Sequence, residues 1–334
     1  MLRIDPADAI DRLKDFQCAV RDVIVRSRSN SNLHGVNRST SADTIYQIDA
    51  LIEPILEDFC RGWAKTTPLV LIAEGVESEI GDGIKIFPEG APEEQAKIRL
   101  IVDPIDGTRG IMYDKRAAWA LAGVAPNNGK GTKLSDIEAA VMTELPTSKM
   151  GFADVLWATK GQGAHANRVD LVNRDTRPLP LQPSKARNIE HGFASVVNFF
   201  PGTKVLASEL LEYLAAHLVG PAGVDALVFD DQYISTGGQF YELIVGHDRF
   251  NADLRPLFYR IQNQPPGLCC HPYDCATMLI AQEAGVRLTD GVGNLLDGPL
   301  DVTTAICWAA FANDSLKAVI EPLLQQFLRE RGES

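Results

Sequence analysis

The stretch Ile101-Val102-Asp103-Pro104-Ile105-Asp106-Gly107-Thr108 runs from an apolar segment straight into two aspartates three residues apart. The run at 98–102 has the length and composition of a buried strand, so both acids leave its end together. Pro104 stiffens the turn between them, which lets both carboxylates face one locus. Gly107 and Thr108 add small side chains and backbone N–H groups at the start of a helix, an arrangement suited to an anion. Hard divalent cations such as Mg²⁺ take oxygen ligands in near-octahedral geometry and keep several waters, and this turn supplies such oxygens. A generic exposed Asp-Pro turn needs neither the apolar run before it nor the Gly-Thr after it.

Outward from this stretch, the run at 69–73 is also continuously apolar and also leads into an acid, Glu74. Residues 117–125, 137–145 and 153–158 continue as strands separated by Asn-Asn-Gly and Pro-Thr-Ser turns. Upstream, Asp5-Pro6 reads as a helix start, with Ile10, Leu13, Phe16, Val20 and Val23 recurring every three or four residues. Residues 26–41 are polar and read as a loop. A second helical stripe runs from Ile48 to Trp63, with a boundary or kink at Pro54. Downstream, strands at 193–199, 226–229, 250–254, 286–288 and 304–311 alternate with helices at 205–218, 238–246, 273–285 and 316–327. That alternation implies a layered α/β (α+β) architecture. The polar, proline-bearing stretch 173–187 is the expected hinge between an N-terminal half, 1–185, and a C-terminal half, 186–334.

Composition narrows the functional classes. The chain has 334 residues, 45% of them hydrophobic and 23% charged, and a net charge of −12. Such a balance argues against a general nucleic-acid binder, which needs excess Lys and Arg. No run approaches the roughly 18 uninterrupted apolar residues of a membrane span, and the first ten residues lack a signal-peptide core. Six scattered cysteines without a C-x-x-C suggest packing thiols in a reducing cytoplasm. Cys269, Cys270, His271 and Cys275 cluster locally, and packing is the simpler reading of them too. Gly129-Lys130-Gly131-Thr132 has the wrong glycine spacing for a phosphate loop. Gly161-Gln162-Gly163 precedes no amphipathic helix, so it is not read as a dinucleotide site.

The segment Asp103 to Thr108 matches D-P-[IL]-D-G-[ST] and resembles the hallmark of the inositol monophosphatase-like, Mg²⁺-dependent, lithium-sensitive phosphatases. Tyr273-Asp274-Cys275-Ala276-Thr277 resembles the family's late W-D-x-[AG]-A motif, with tyrosine in place of tryptophan. Glu74 ends the preceding strand, and Asp49 lies in the second helix, six residues after Asp43. The likeness spans 43–311. The Asp-Gly-Thr-Arg run is also similar to class II fructose-1,6-bisphosphatases of the same superfamily. The resemblance implies a layered αβαβα sandwich of the sugar-phosphatase type, and Mg²⁺-dependent hydrolysis of a small phosphate monoester, an inositol or sugar phosphate.

Carried over residue by residue, the resemblance implies that Glu74, Asp103 and the Ile105 carbonyl bind one Mg²⁺. Asp103, Asp106 and Asp274 bind a second, and a weaker third sits near Glu74 with Asp49 close by. Glu74, with Thr108 hydrogen-bonded toward Asp49, would activate water. Gly107 and Thr108 would hold the phosphate, and Asp253 and Arg109 would contact the substrate. Glu77 competes with Glu74 but lies further into an acidic loop. The resemblance also suggests a homodimer. A bisphosphate-specific enzyme, acting on fructose 1,6-bisphosphate or a 3′,5′-bisphosphate nucleotide, and a non-catalytic regulatory protein on this scaffold remain alternatives.

Overall fold

The apolar runs at 69–73 and 98–102 are adjacent parallel strands inside an eight-stranded sheet. They belong to a computed structural model that describes residues 4–27, 36–39, 44–76, 83–220 and 225–332. Glu77 and the acidic loop around it lie outside the described residues, as do Asp43 and most of the expected loop at 26–41. Part of that loop, Val36–Ser39, is a strand.

The chain begins with α1 (Pro6–Ser27), the hairpin strands β1 (Val36–Ser39) and β2 (Thr44–Tyr46), α2 (Gln47–Ala50) and α3 (Glu53–Ala64). Pro54 lies in the first turn of α3, where its missing N–H is tolerated, and so marks a boundary. Then come β3 (Leu69–Ala73), β4 (Ile84–Phe87), β5 (Ile98–Asp106), α4 (Thr108–Met112), β6 (Ala118–Pro126) and β7 (Ala139–Leu145). The first sheet is completed by β8 (Phe152–Thr159), β9 (Ala164–Asp170) and β10 (Thr176–Pro178), in the order β10-β9-β8-β7-β6-β5-β3-β4.

From residue 192 the chain builds a second sheet. Its elements are β11 (Gly192–Val196), α5 (Lys204–Leu218), β12 (Val228–Phe229), α6 (Thr236–Ile244), β13 (Asp248–Asp253) and α7 (Arg255–Ile261). After them come α8 (Met278–Ala284), β14 (Arg287–Thr289), β15 (Trp308–Phe311) and α9 (Asp314–Glu330), and the strand order is β12-β11-β13-β15-β14. Several elements depart from the sequence-based expectation, among them β1, β2 and the strand β10, which lies inside the expected hinge and pairs with β9. The helix expected from Tyr273 starts only at Met278, after a series of turns. The strands β4 and β9 and the helix α7 had too short or too weak a period to stand out.

Burial explains the layering. Ile10, Leu13, Phe16, Val20 and Ile24 form one inward stripe of α1, which lies with α3 on the outer face of the first sheet. Gln17 fixes the contact: its Nε2 donates to the Val141 carbonyl at 2.9 Å and its Oε1 accepts from Thr143 Oγ1 at 2.8 Å. α6 and α8 touch both sheets and fill the space between them, while α5 and α9 cover the far face of the second. The result is an αβαβα sandwich. Because both faces of the first sheet are covered, β6 is buried almost throughout rather than alternating. The glycine turn at 161–163 connects β8 and β9, and its Gly161 and Gly163 amides each donate to the Glu283 carboxylate at 2.7 Å, tying α8 to that turn. Among the described residues no helix is long and apolar enough to cross a membrane.

One close approach sets the height of the Asp274 turn above β6. A Cβ on Gly123 would lie 2.6 Å from the Ala276 carbonyl and 2.8 Å from Ile137 Cδ1. Gly123→Ala is therefore expected to destabilise by about 1–3 kcal/mol through overpacking, read as a lower urea midpoint with unchanged slope. A neutral result would mean that the turn rides loosely on the strand.

Candidate active site

In a regular strand, residues three apart face opposite sides, so Asp103 and Asp106 should diverge. They do not, because β5 carries an extra residue: Asp103 pairs with Leu121 and Asp106 with Trp119, three steps on one strand against two on the other. This bulge falls at Pro104, which has no N–H to lose, and it re-aims the second acid. The strand therefore continues through the motif instead of ending before it. The Ile105 N–H then donates to Asp103 Oδ1 at 3.0 Å. Gly107 closes the turn at φ +96°, in the left-handed region, with Ile234 and Ser235 packed where a side chain would go.

Parallel pairing brings in the next acid. Ala73 of β3 is level with Val102 of β5, so Glu74 and Asp103 come one step further along adjacent strands. Asp274 arrives from the turn before α8, with its Oδ2 accepting from the His271 N–H at 2.6 Å. Oxygens of Asp103, Asp106 and Asp274 all lie within 4.8 Å of one another. Asp106 is held from the other sheet's side: Ser235 Oγ donates to its Oδ2 at 2.8 Å, Gly237 N–H at 2.6 Å, and Thr236 N–H to Oδ1 at 3.3 Å. The reading from sequence missed this clamp at the start of α6. Its signal was available in Ser235-Thr236-Gly237, a helix-capping serine followed by small residues.

Burial and mutual repulsion dominate the electrostatics. Burial, then the charges of Asp106, Asp274 and Glu74, hold the Asp103 carboxyl well above the aspartate range. Asp274 is raised likewise, by burial and then by Asp106 and Glu74. Burial pushes Asp106 up to about 6, with the Gly237, Ser235 and Thr236 donors restraining the rise. Hard oxygen donors that share one locus and resist ionising together fit a divalent cation of the Mg²⁺ kind.

These acids line one end of a cavity of about 110 Å³ that also holds Asp49, Glu53, Ile105, Gly107, Thr108 and Arg109. The Thr108 hydroxyl lies 3.1 Å from Asp49 Oδ1 and 2.8 Å from the Ile105 carbonyl. Asp49 is itself fixed by the Tyr46 N–H at 2.8 Å. Asp253 is the exception. It is 1% exposed and stands behind the wall, with both oxygens taken by Arg255, and it is Arg255 that reaches the cavity. The structure therefore does not bring Asp253 into the cavity where the resemblance placed it: burial and its pairing with Arg255 keep it behind that side chain. Cys270 and Cys275 are buried with sulfurs 3.6 Å apart, and Cys269 lines the cavity; all six cysteines are free thiols.

Compared by sequence alone, the chain matches no family model and no curated protein. Compared by structure, it superposes on an inositol monophosphatase from Thermotoga maritima at 16% identity and a TM-score of 0.64, covering 97% of this chain and 100% of the other. The chain has the inositol monophosphatase fold. The same architecture relates it to the extragenic suppressor protein SuhB of Bartonella henselae, at 17% identity and a TM-score of 0.62 over 96% and 99% of the two chains. It also matches fructose-1,6-bisphosphatase from Leishmania major, at 13% identity and a TM-score of 0.67 over 96% and 92%. Within the inositol monophosphatase fold, the acids of this chain gather at the end of β3, in the β5 bulge and in the turn before α8.

The raised carboxyls make a signed prediction. A group whose folded pKa exceeds its unfolded value stabilises the fold in acid, and that contribution is lost as pH climbs from the ordinary 3.8 through about 6 for Asp106. Mg²⁺ should replace those protons, so the rise in Tm on adding it should grow between about pH 5 and about pH 7.5. Asp103→Asn should lose the Mg²⁺-dependent rise while melting no lower than wild type in EDTA. An equal Mg²⁺ response in the variant would exclude Asp103 as a ligand.

Proposed function

We propose that the protein is a Mg²⁺-dependent phosphatase that hydrolyses a small phosphate monoester, an inositol or sugar phosphate, through an activated water. The observation that carries this reading is the meeting of Asp103, Asp106 and Asp274 within 4.8 Å in a cavity also lined by Glu74 and Thr108. The fold it shares with an inositol monophosphatase and a fructose-1,6-bisphosphatase supports it. The division into halves 1–185 and 186–334 belongs to the same reading and is supported by the two sheets, with the site between them.

Glu74, Asp103, Asp106, Asp274 and the Ile105 carbonyl would hold two or three ions. Bound Mg²⁺ supplies Lewis-acid stabilisation of the phosphate and of the attacking and leaving oxygens. Glu74 then acts as the base that receives the proton of the attacking water. Thr108 orients that water: its single proton points to Asp49 or to Ile105, which leaves its lone pairs to accept from the water. Asp49 acts only through Thr108. The Gly107 and Thr108 N–H groups, at the start of α4, receive the phosphate oxygens. No covalent phosphoenzyme is required.

Purified protein with Mg²⁺ should release inorganic phosphate from a panel of inositol and sugar phosphates, and Li⁺ should inhibit it. Thr108→Val should lower kcat by roughly 10²-fold or more, the scale of a lost general-base partnership, while keeping the Mg²⁺-dependent rise in Tm. Full turnover by Asp103→Asn, or release of phosphate in EDTA, would sink the mechanism.

A further inference from the structure

The cavity has two chemically opposite walls. Glu74, Asp103, Asp106 and Asp274 form one, and Arg109, Arg255, Phe199 and Phe200 form the other. Arg109 directly follows Thr108, and its guanidinium carbon lies 5.2 Å from the Phe200 ring centroid. Arg255 enters at the start of α7, 5.2 Å from Phe199 and 5.4 Å from Phe200. The two rings meet edge to face, 4.8 Å apart at 89°. One aromatic ring thus holds both cations on the same side of the cavity, by the attraction of a π-face for positive charge.

Arg255 is only 4% exposed. Its Nε donates to Asp253 at 2.8 and 3.1 Å, Nη2 also donates to Asp253, and Nη1 donates to the Leu268 carbonyl at 2.8 Å. A guanidinium has five N–H bonds, so one on each terminal nitrogen is uncommitted among the described residues. Burying such a donor without an acceptor is unfavourable, and the cavity is where an acceptor can arrive. Among the described residues the ion pair Arg255 forms is with Asp253 and not with the four acids, although its charge partly offsets that of Asp274. The acidic wall takes an anion only through cations, whereas the arginine wall takes one directly.

We infer that the substrate carries a second anionic group, a phosphate or a carboxylate, received by Arg255 and Arg109 while the scissile phosphate sits at the acidic wall. The inference rests on the phosphatase reading and narrows its substrate class. A neutral polyol would offer weaker acceptors to both guanidinium groups; a phosphate or carboxylate matches their planar, forked donors. Asp253 is then a positioning residue, holding the Arg255 plane through its Nε and Nη2 from behind.

Two matched pairs test it in Mg²⁺: fructose 1,6-bisphosphate against fructose 1-phosphate, and 3-phosphoglycerate against glycerol 3-phosphate. In at least one pair the member with the extra anion should have a kcat/KM about tenfold higher or more, the scale of a charge-assisted hydrogen bond, carried mainly by KM. The first pair reports a phosphate and the second a carboxylate. Arg109→Gln, checked for an unchanged melting curve because Arg255 variants risk misfolding, should collapse that ratio toward one. Equal kcat/KM within both pairs, or a preference that survives Arg109→Gln, overturns the inference. If none of the four is turned over and the panel of inositol and sugar phosphates also yields no phosphate, the phosphatase reading fails instead. Calorimetric titration of the Mg²⁺-loaded protein with the same four compounds then decides the subsite: tighter binding of the second anion, lost in Arg109→Gln, supports it, and equal binding overturns it.

Discussion

Charge of one sign, gathered where water is scarce, is the constraint around which this molecule is built. Asp103, Asp106 and Asp274 each accept from neutral donors: Ile105 N–H, the Ser235–Gly237 group and His271 N–H. Among the described residues no lysine or arginine forms an ion pair with any of the three. Neutral donors orient a carboxylate without cancelling its charge, whereas an ammonium or guanidinium would occupy the position a cation needs. The fold therefore aims the oxygens and leaves their repulsion standing, which is the condition under which a divalent ion binds with large effect.

Several features follow from the need to hold repelling groups in place. The bulge in β5 turns two acids to one side, and parallel pairing with β3 sets Glu74 beside them. The clamp on Asp106 comes from α6, between the sheets, so the second half of the chain fixes an acid contributed by the first. Separation of the sheets would release that acid. The tight contact of Gly123 with Ala276 and the Glu283 bonds to Gly161 and Gly163 resist such separation, and both lie on the path from the first sheet to the Asp274 turn. Site geometry and sandwich packing are thus one problem rather than two.

Much of this was legible in the sequence, for physical reasons that also explain the rest. The strands at 69–73 and 98–102 are buried on both faces, so they appear as unbroken apolar runs, and the acids after them stand out. Helices α1 and α9 cover outer faces and keep a clear apolar stripe. By contrast, α7 is seven residues long and is buried along much of its length, so it shows no period. Ser235-Thr236-Gly237 could be read as a helix start, but not as a clamp, because that role depends on an aspartate 129 residues away. Asp253 is carried over from the resemblance by its order and neighbourhood, and neither shows that Arg255, two residues on, occupies it. Roles that depend on local chemistry could be read; those created by a distant partner could not.

Tyr273, where the resemblance leads one to expect tryptophan, shows how such a fold persists at 13–17% identity. Its ring is 3% exposed and stacks on His271 at 5.4 Å, with its hydroxyl 3.2 Å from Nδ1. An aromatic filler that braces the loop bearing Asp274 satisfies the requirement, and which aromatic is secondary. Oxygens that must converge within a few ångströms tolerate little substitution, while the packing behind them tolerates much. Phe199, Phe200, Arg109 and Arg255 line the same cavity without having to converge on a single point. On the phosphatase reading proposed above, the acids would set the class of reaction and this aromatic, cationic wall its choice of substrate.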